Sequence, residues 1–304
     1  MKMKNKKVVC IGHSTYDITI PVDAYPTENI KYRLERHIEC GGGPASYGAY
    51  LLAKWGMKTS ILSIVGDDHY GKLIRDDFKK IGANTKYLEL KKGHQTTSSY
   101  IIANMSNGSR TILASKRPPI RKLDQDVTIP ADVILIDGEH PETALKVLLD
   151  NEDAISVIDA GRLNKDTKML GKMVKYMVCS KDFAEEFSKV KIDYNNIETI
   201  IEAYEKLKAY FKNTVVITLE SHGSLTEIDG KYKKIPSVKV KAVDSTGAGD
   251  IFHGAFTYFI GMNYPLEEAI RLSSITAAIS VTRIGSRFSI PKLEEVLEYA
   301  ESIQ

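Results

Sequence analysis

The sequence predicts an α/β fold: a doubly wound, mostly parallel central sheet with helices on both faces, plus a small separate β-sheet. Short apolar runs, typical of buried parallel strands, alternate with amphipathic helical patterns along the chain. Two early pairs of segments instead alternate apolar and polar residues, as half-exposed strands do. Six of the predicted strands end in polar or glycine residues, and such ends converge on one crevice in an open sheet. One domain with its site at that edge is therefore expected.

The predicted elements follow this pattern in chain order. The main sheet takes the buried strands 7–12, 58–66, 132–138, 154–161, 176–180 and 213–220. The small sheet takes the alternating segments 17–22 and 32–39 and a hairpin within 98–115, whose Asn107-Gly108 pair is a strong turn signal. Helices are expected to open after the loop at 41–43, over 71–82, and over 250–261, 265–284 and 291–302.

Composition narrows the class of protein. The chain has 304 residues and a net charge of +3, which argues against nucleic acid or a membrane surface as a partner. Its three cysteines lie far apart, which fits neither a disulfide framework nor a zinc site and favours a reducing cytoplasm. No apolar run approaches membrane-spanning length. The expectation is a cytoplasmic protein without a membrane or nucleic-acid partner.

The segment "VDSTGAGDIFHGAF", residues 243–256, carries the most chemistry. Gly247 and Gly249 allow a tight turn, and Asp250 begins a run with helical spacing. A helix that opens on such a turn aims unpaired N–H groups at one point, which suits a phosphate. An ordinary glycine turn with Asp250 compensating the helix dipole is the alternative, and this motif alone does not decide between them.

Other motifs point away from competing classes. "GDDHYGKL" (66–73) has Leu73 where a P-loop needs a hydroxyl, and its two aspartates would repel phosphates. "GGGPAS" (41–46) has Ser46 at the third glycine position of a dinucleotide loop, and the first strand does not lead into it. The seven histidines show no i, i+4 pairing that would suggest a transition-metal site. A dehydrogenase is therefore disfavoured.

Two pairs of motifs, one near each end, indicate a resemblance to a known family over essentially the whole chain. "GGGPASYGAYLLAKWG" is followed by "SIVGDDHYG", and "VDSTGAGDIFHGAF" by "AAISVTRIGS". With them the chain resembles the ribokinase-like family of carbohydrate and nucleoside kinases, the phosphofructokinase-B group. The resemblance implies a single ribokinase-like domain over 1–304, with a β-sheet lid formed by about 14–38 and 96–115. It also implies a homodimer through the lid.

The resemblance gives the motif residues roles in phosphoryl transfer. Asp250 matches the catalytic base, and Gly247, Ala248 and Gly249 match the anion hole. The positions that match sugar-binding residues are Asp17, Gly42, Gly43, Ser46 and Glu139. Those that match the nucleotide-binding loops and the adenine-side helix are Ser180, Thr218, Ser221, Gly223, Ala278 and Val281. Those that match the neighbourhood of a potassium site are Asp244, Thr246, Ser280, Arg283, Gly285 and Ser289.

Three positions depart from the family pattern. Many members carry N-x-x-E near the phosphates and magnesium, where Lys181 and Ala184 stand here. Glu185 or Asp182 is expected to replace the acid, through water. Ser46 replaces a common asparagine of the sugar loop, and Glu220 stands near a usual glycine. The departures concern metal handling, the sugar and nucleotide affinity, respectively.

The expected function is an ATP-dependent kinase that transfers the γ-phosphate of ATP to a hydroxymethyl group of a small ribose- or fructose-like sugar. Its expected cofactors are ATP, Mg²⁺ and K⁺. A nucleoside kinase of the same fold is one alternative, with Tyr16, Tyr32, Tyr47 and Tyr100 as the candidates for stacking on a base. A non-catalytic sugar-binding regulator is the other, against which the intact "GAGD" argues.

Overall fold

A computed structural model describes residues 6–115, 118 and 120–303 of the chain. Thirteen strands occur in that part. They are β1 Lys7–Ile11, β2 Thr15–Val22, β3 Ile38–Gly42, β4 Lys58–Gly66, β5 Leu88–Lys91, β6 Ser98–Asn104, β7 Ser109–Ala114, β8 Val133–Ile136, β9 Ile155–Ala160, β10 Tyr176–Ser180, β11 Thr214–Thr218, β12 Ser224–Ile228 and β13 Lys231–Ile235.

Nine strands form one large sheet in the order β13-β12-β11-β10-β9-β8-β1-β4-β5. Every pairing from β11 to β5 is parallel, and only β12 runs antiparallel, to its neighbours β11 and β13. This confirms the predicted doubly wound, mostly parallel sheet. The six buried strands predicted for it are all present, with small shifts at their ends.

Nine α-helices occur in the described part of the chain. They are α1 Pro44–Lys54, α2 His69–Lys80, α3 Pro141–Asp150, α4 Lys165–Leu170, α5 Lys181–Ser188, α6 Ile197–Phe211, α7 Ala248–Gly261, α8 Leu266–Val281 and α9 Leu293–Ser302. The three predicted C-terminal helices correspond to the last three.

The two faces of the large sheet bury separate hydrophobic cores because alternate side chains of a strand point to opposite faces. Val8 and Cys10 of β1 lie in a core shared with α1, α7 and α8, whereas Val9 and Ile11 lie in a second core shared with α3 and α6. On the first face, α1 and α7 approach closely: a Cβ built on Gly254 would lie 2.9 Å from the Gly48 Cα. The helices that begin at the two predicted glycine motifs therefore pack directly on each other.

The small sheet has the order β3-β2-β6-β7 and projects from the main body. The predicted hairpin is confirmed: β6 and β7 pair antiparallel, and the amide of Gly108 donates to the Asn104 carbonyl oxygen at 2.8 Å. One strand boundary was wrong. Residues 32–37 are exposed loop, and the strand begins only at Ile38, because this charged stretch has no strand to pair with.

No helix in the described part of the chain is long and apolar enough to cross a membrane. The carboxyl ends of β1, β8, β9, β10 and β11 open on one edge of the large sheet, at the side from which the small sheet projects. This edge holds the candidate site.

Candidate active site

The N-terminus of α7 forms the centre of the crevice. Gly247 adopts a left-handed conformation (φ 74°) that turns the chain into the helix, as only glycine does at little cost. A Cβ built on Gly249 would meet nothing within 4 Å, so open space lies directly in front of the first helical turn. The N–H of Ala248 donates to the Ser245 carbonyl oxygen at 3.3 Å, whereas those of Gly249 and Asp250 have no partner among the described residues, which is the arrangement expected of an anion site.

Asp250 lies in the first turn of α7 and is partly exposed to the crevice. Burial raises the pKa of its carboxyl well above the ordinary value, the negative charge of Asp159 raises it further, and His253 and Arg110 oppose the shift. A carboxyl with a raised pKa is a better proton acceptor once ionised, which suits a general base.

A buried pair that the sequence analysis missed lies behind this carboxyl. Asp159, near the end of β9, is 5% exposed, and one of its oxygens lies 3.2 Å from Nδ1 of His253. His253 is 3% exposed, and its Nδ1 lies 2.7 Å from the carbonyl oxygen of Gly249. Burial, and secondarily Asp137, raises the pKa of Asp159 to about 8. The pair links the end of β9 to the first turn of α7.

Asp17 forms the other end of the crevice. It is 5% exposed, and its carboxylate accepts hydrogen bonds from Thr15 Oγ1 (2.8 Å) and the Tyr47 hydroxyl (3.0 Å). Burial raises its pKa, while these hydrogen bonds and the charge of Arg287 lower it. Gly42 has to be glycine here, because a Cβ at this position would lie 2.0 Å from an Asp17 oxygen. Two predicted sugar-binding positions are thus held together.

Ser46, which was matched to a sugar-binding position, is not exposed to the crevice. It is fully buried, and its hydroxyl accepts a hydrogen bond of 2.8 Å from Arg287, which is itself 1% exposed. The guanidinium of Arg287 stacks over the rings of Tyr50 and Phe78, 4.7 and 4.9 Å from their centroids. In this structure Ser46 therefore serves a buried contact between the start of α1 and the segment after α8.

Asp137, directly after β8, is a second residue that the sequence analysis missed. Its carboxylate accepts the backbone N–H groups of His13 (2.8 Å), Ala45 (3.0 Å) and Glu139 (3.0 Å). Gly12 leaves room for it, since a Cβ there would lie 2.1 Å from Asp137 Oδ1. Glu139 thereby faces the crevice edge half-buried, and burial together with the charge of Asp137 raises its pKa. Gly43 lies between His13 and Ala45 in the same cluster.

The predicted nucleotide positions lie along the ends of β10 and β11. Ser180 caps α5 by accepting the Phe183 N–H at 3.1 Å, and Thr218 donates to the Cys179 carbonyl oxygen. Ser221 is exposed in a short turn that ends at Gly223. Ala278 and Val281 lie in the last two turns of α8, and the carbonyl of Val281 accepts a hydrogen bond from the N–H of Val243. These residues form the rim that leads away from α7.

The predicted cation positions are joined through Asp244, which is 3% exposed. Its carboxylate accepts the N–H groups of Thr246 (2.9 Å) and Gly285 (3.1 Å), so it ties the loop before α7 to the loop after α8. The Thr246 hydroxyl is buried and has no hydrogen-bond partner among the described residues. A carboxylate beside a free hydroxyl fits a cation. Of the other positions, Arg283 forms an ion pair with Glu295.

The remaining two cation positions use their hydroxyls locally. Ser280 donates to the Ala277 carbonyl oxygen, and Ser289 donates to that of Ser286. Their hydroxyl groups therefore help to shape the two segments, and backbone carbonyls in the same segments are left as further candidate ligands.

Glu185 is not arranged as a free acid. Its two oxygens accept hydrogen bonds from the Ile192 N–H (2.9 Å) and from the ammonium of Lys191 (2.7 Å), and these partners hold the pKa of its carboxyl below the ordinary value. This geometry does not favour the predicted magnesium contact through water. Among the described residues, no group of three or more His, Cys, Asp or Glu side chains has the geometry of a metal site.

Comparison of the sequence with known proteins shows which proteins it is similar to. The model of the pfkB family carbohydrate kinases matches residues 5–293. A ribokinase from Haemophilus influenzae is 26% identical over 270 residues, which cover 86% of this chain and 87% of that protein. A nucleoside kinase from Methanocaldococcus jannaschii is 23% identical over 303 residues, 98% of each chain.

Solved structures agree with this fold. The structure of a candidate ribokinase from Agrobacterium tumefaciens superposes with a TM-score of 0.89 at 25% identity and covers 98% of both chains. An Arabidopsis thaliana ribokinase complexed with ribose and ATP superposes with a TM-score of 0.79 at 20% identity, over 96% of this chain and 98% of that one. The chain therefore belongs to the pfkB family of carbohydrate kinases, phosphotransferases that act on an alcohol group.

Proposed function

We propose that the chain is an ATP-dependent kinase that phosphorylates a hydroxymethyl group of a small ribose- or fructose-like sugar. The observation that carries the proposal is the open space in front of the α7 N-terminus, bordered by Asp250. Asp17 marks the acceptor end of the same crevice, and the rim from Ser180 to Gly223 would take the nucleotide. The likeness to sugar kinases in sequence and fold supports this arrangement.

In the proposed reaction, Asp17 orients the sugar through its hydroxyls and Asp250 takes the proton of the attacking hydroxyl. The N–H groups of Gly247, Ala248 and Gly249 stabilise the charge that gathers on the phosphoryl oxygens. The small sheet closes over the sugar and excludes water, which otherwise competes for the phosphoryl group.

Two cations belong to the proposal. Magnesium, when bound, neutralises charge on the ATP phosphates. Asp182 in the first turn of α5 is exposed and, unlike Glu185, has no ion pair among the described residues, so it is the acid proposed to act on magnesium. Potassium fits the segments that Asp244 joins, because the Thr246 hydroxyl is a buried oxygen without a partner among the described residues. Asp244 would hold the two segments at the spacing that the ion requires.

A homodimer through the small sheet is also proposed. Strands β6 and β7 and the loop between β2 and β3 expose several large apolar side chains, which a second copy would cover: Ile30, Tyr32, Leu34, Tyr100, Ile112 and Leu113. Clustered apolar exposure of this kind marks an interaction surface. Light scattering on Leu113→Glu tests it: a monomer is expected, and an unchanged mass for a dimeric parent would contradict it.

The experiment that tests the function measures ADP release from Mg-ATP over a panel of pentoses, hexoses, inositols and nucleosides, with and without potassium. One sugar is expected to give strong ADP release. Asp250→Asn is expected to reduce turnover of that sugar by a factor on the order of 10²–10⁴ while ATP binding remains. A response to nucleosides alone would favour the nucleoside kinase. ATP binding without transfer to any acceptor would favour the sugar-binding regulator.

A further inference from the structure

The turn between β6 and β7 lies against the loop that precedes the anion hole. The Ser245 hydroxyl donates to the Gly108 carbonyl oxygen at 2.9 Å, and Arg110 Nη1 donates to the same hydroxyl at 2.7 Å. A Cβ built on Gly108 would lie 2.9 Å from the Cβ of Ala242, so the two segments are in van der Waals contact. The small sheet therefore delivers an arginine to the phosphoryl end of the crevice.

The guanidinium of Arg110 is close to the reacting groups. Ser245, its partner, stands two residues before Gly247. The charge of Arg110 reaches Asp250, whose pKa it lowers against the larger effect of burial. The side chain is exposed, and its other N–H groups remain available to a ligand.

The carboxylates around the proposed phosphoryl site favour a positively charged side chain there. Burial raises the pKa of Asp250, Asp159 and Asp17, and a neighbouring carboxylate raises that of Asp250 and Asp159 further. A γ-phosphate that enters among them brings further negative charge. Lys191, moreover, is already paired with Glu185. The planar, forked guanidinium is the side chain best suited to hold a phosphoryl group in such a place.

We propose that Arg110 is a catalytic residue that exchanges its Ser245 partner for the γ-phosphoryl oxygens of bound ATP. The inference rests on the proposed function. The bond between the γ-phosphorus and the bridging oxygen breaks, ADP leaves with that electron pair, and a new bond forms to the acceptor oxygen. The acceptor proton passes to Asp250. Arg110 gives up no proton and stabilises the charge on the transferring oxygens.

The position of Arg110 couples this charge to the acceptor. Arg110 opens β7, which pairs with β6, and β6 pairs in turn with β2, the strand that carries Asp17. A sugar held by Asp17 and the arginine at the phosphoryl end are thus bound to one four-stranded sheet.

The test compares Arg110→Met and Arg110→Lys with the matched control Ser245→Ala, which removes the resting partner of Arg110 but not its charge. Calorimetry gives the affinities of each variant for ADP and for the non-hydrolysable ATP analogue AMP-PNP, so the test needs no identified acceptor. Arg110→Met is expected to lose about tenfold or more in AMP-PNP affinity and less than twofold in ADP affinity. Arg110→Lys is expected to fall between, and Ser245→Ala to match the parent for both nucleotides.

With the acceptor that the panel identifies, Arg110→Met is expected to lose on the order of 10²–10³ in kcat. In Arg110→Ala, free guanidinium ion in the buffer is expected to restore part of the loss, which a merely structural arginine would not show. Equal losses in Arg110→Met and Ser245→Ala, or an unchanged ratio of AMP-PNP to ADP affinity in Arg110→Met, would overturn the inference and leave the proposed function standing. A parent protein that binds neither nucleotide would overturn both.

Discussion

The two ends of the crevice are built in opposite ways. At the proposed acceptor and phosphoryl end the acids are buried: Asp17 and Asp159 are each 5% exposed, and burial raises the pKa of both. At the nucleotide end the charges are at the surface and already paired, as Glu185 is with Lys191. At the first end Asp17 is held by Thr15, Tyr47 and the backbone of Gly42, whereas the second end can exchange one surface partner for another. We therefore expect substitutions to act strongly at the first end and weakly at the second.

At the first end, a large effect on the acceptor is expected from Gly42→Ala. Its methyl group would overlap an Asp17 oxygen at 2.0 Å and push the carboxylate away from Tyr47. A displacement of about 1 Å at a reacting site costs on the order of 10² in rate, so kcat/KM for the acceptor should fall by about that factor. Steady-state kinetics checks it, with an unchanged KM for ATP as the internal control. A normal kcat/KM would show that the buried end is more adaptable than the structure indicates.

Gly249→Ala should separate stability from activity. The new methyl group meets no atom within 4 Å, and alanine favours the first turn of a helix, so the variant should be as stable as the parent or about 0.4–1 kcal/mol more stable. The same methyl group occupies the space proposed for the phosphoryl group, so turnover should fall on the order of 10².

The matched variant Gly247→Ala should behave differently, because φ is 74° at that position and the methyl group would lie 3.2 Å from the Tyr47 ring. It should lose stability as well as turnover. Thermal melts and kinetics on both variants check this pair, and equal melting temperatures would contradict it.

Asp159→Asn should stabilise the protein in a pH-dependent way. The pKa of Asp159 is about 8 in the folded chain and near 4 in the unfolded chain, so the folded state binds the extra proton between these values. Stability due to this proton is complete below about pH 4 and is lost as the pH rises to about 8. Asparagine cannot ionise and avoids that loss.

Melting temperatures from pH 5 to pH 8 check the Asp159 prediction. The difference between Asp159→Asn and the parent should move in favour of the variant as the pH rises, by about 2–4 °C for each kcal/mol involved. Asp124→Asn, at a carboxylate whose side chain is 66% exposed, is the control and should show little change. A difference that is constant with pH would mean that Asp159 ionises normally.

The smallest effect is expected at the nucleotide end, from Glu185→Gln. It removes a surface ion pair with Lys191, whose side chain is 83% exposed, and such pairs contribute about 0–1 kcal/mol. The magnesium concentration that supports half-maximal turnover should change by less than about twofold, since both oxygens of Glu185 are used locally. A large rise in that concentration would instead restore Glu185 as the acid that acts on magnesium.

Local signals explain what could be predicted from the sequence. The glycine turn before α7 and the alternation of strands and helices are patterns of a few neighbouring residues. From them the start of α7 and the strands of the large sheet were predicted correctly. The edge strands β5 and β13, with sequences LELK and KYKKI, were missed because lysines at a sheet edge read as loop. The segment 32–37 was misread for the opposite reason, since its alternation has no partner strand.

Distance along the chain explains the site residues that were missed. His253 lies 94 positions beyond Asp159, and Arg287 lies 241 positions beyond Ser46, so neither contact leaves a local pattern. Arg287 is buried between β3, α1 and α2, whereas arginine is seldom buried without an ion-pair partner. Residue type alone therefore gave no reason to expect it in the core. Only the fold brings such groups together.

The Asp137 carboxylate anchors the small sheet to the large one. The chain leaves the large sheet through residues 12–14 to form β2 and returns through Gly43 to form α1. Asp137 holds the backbone on both sides of this excursion, at His13 and at Ala45. The two strands that carry Asp17 and Gly42 are therefore tied to the large sheet by one shared carboxylate, at the point where both strands meet the crevice.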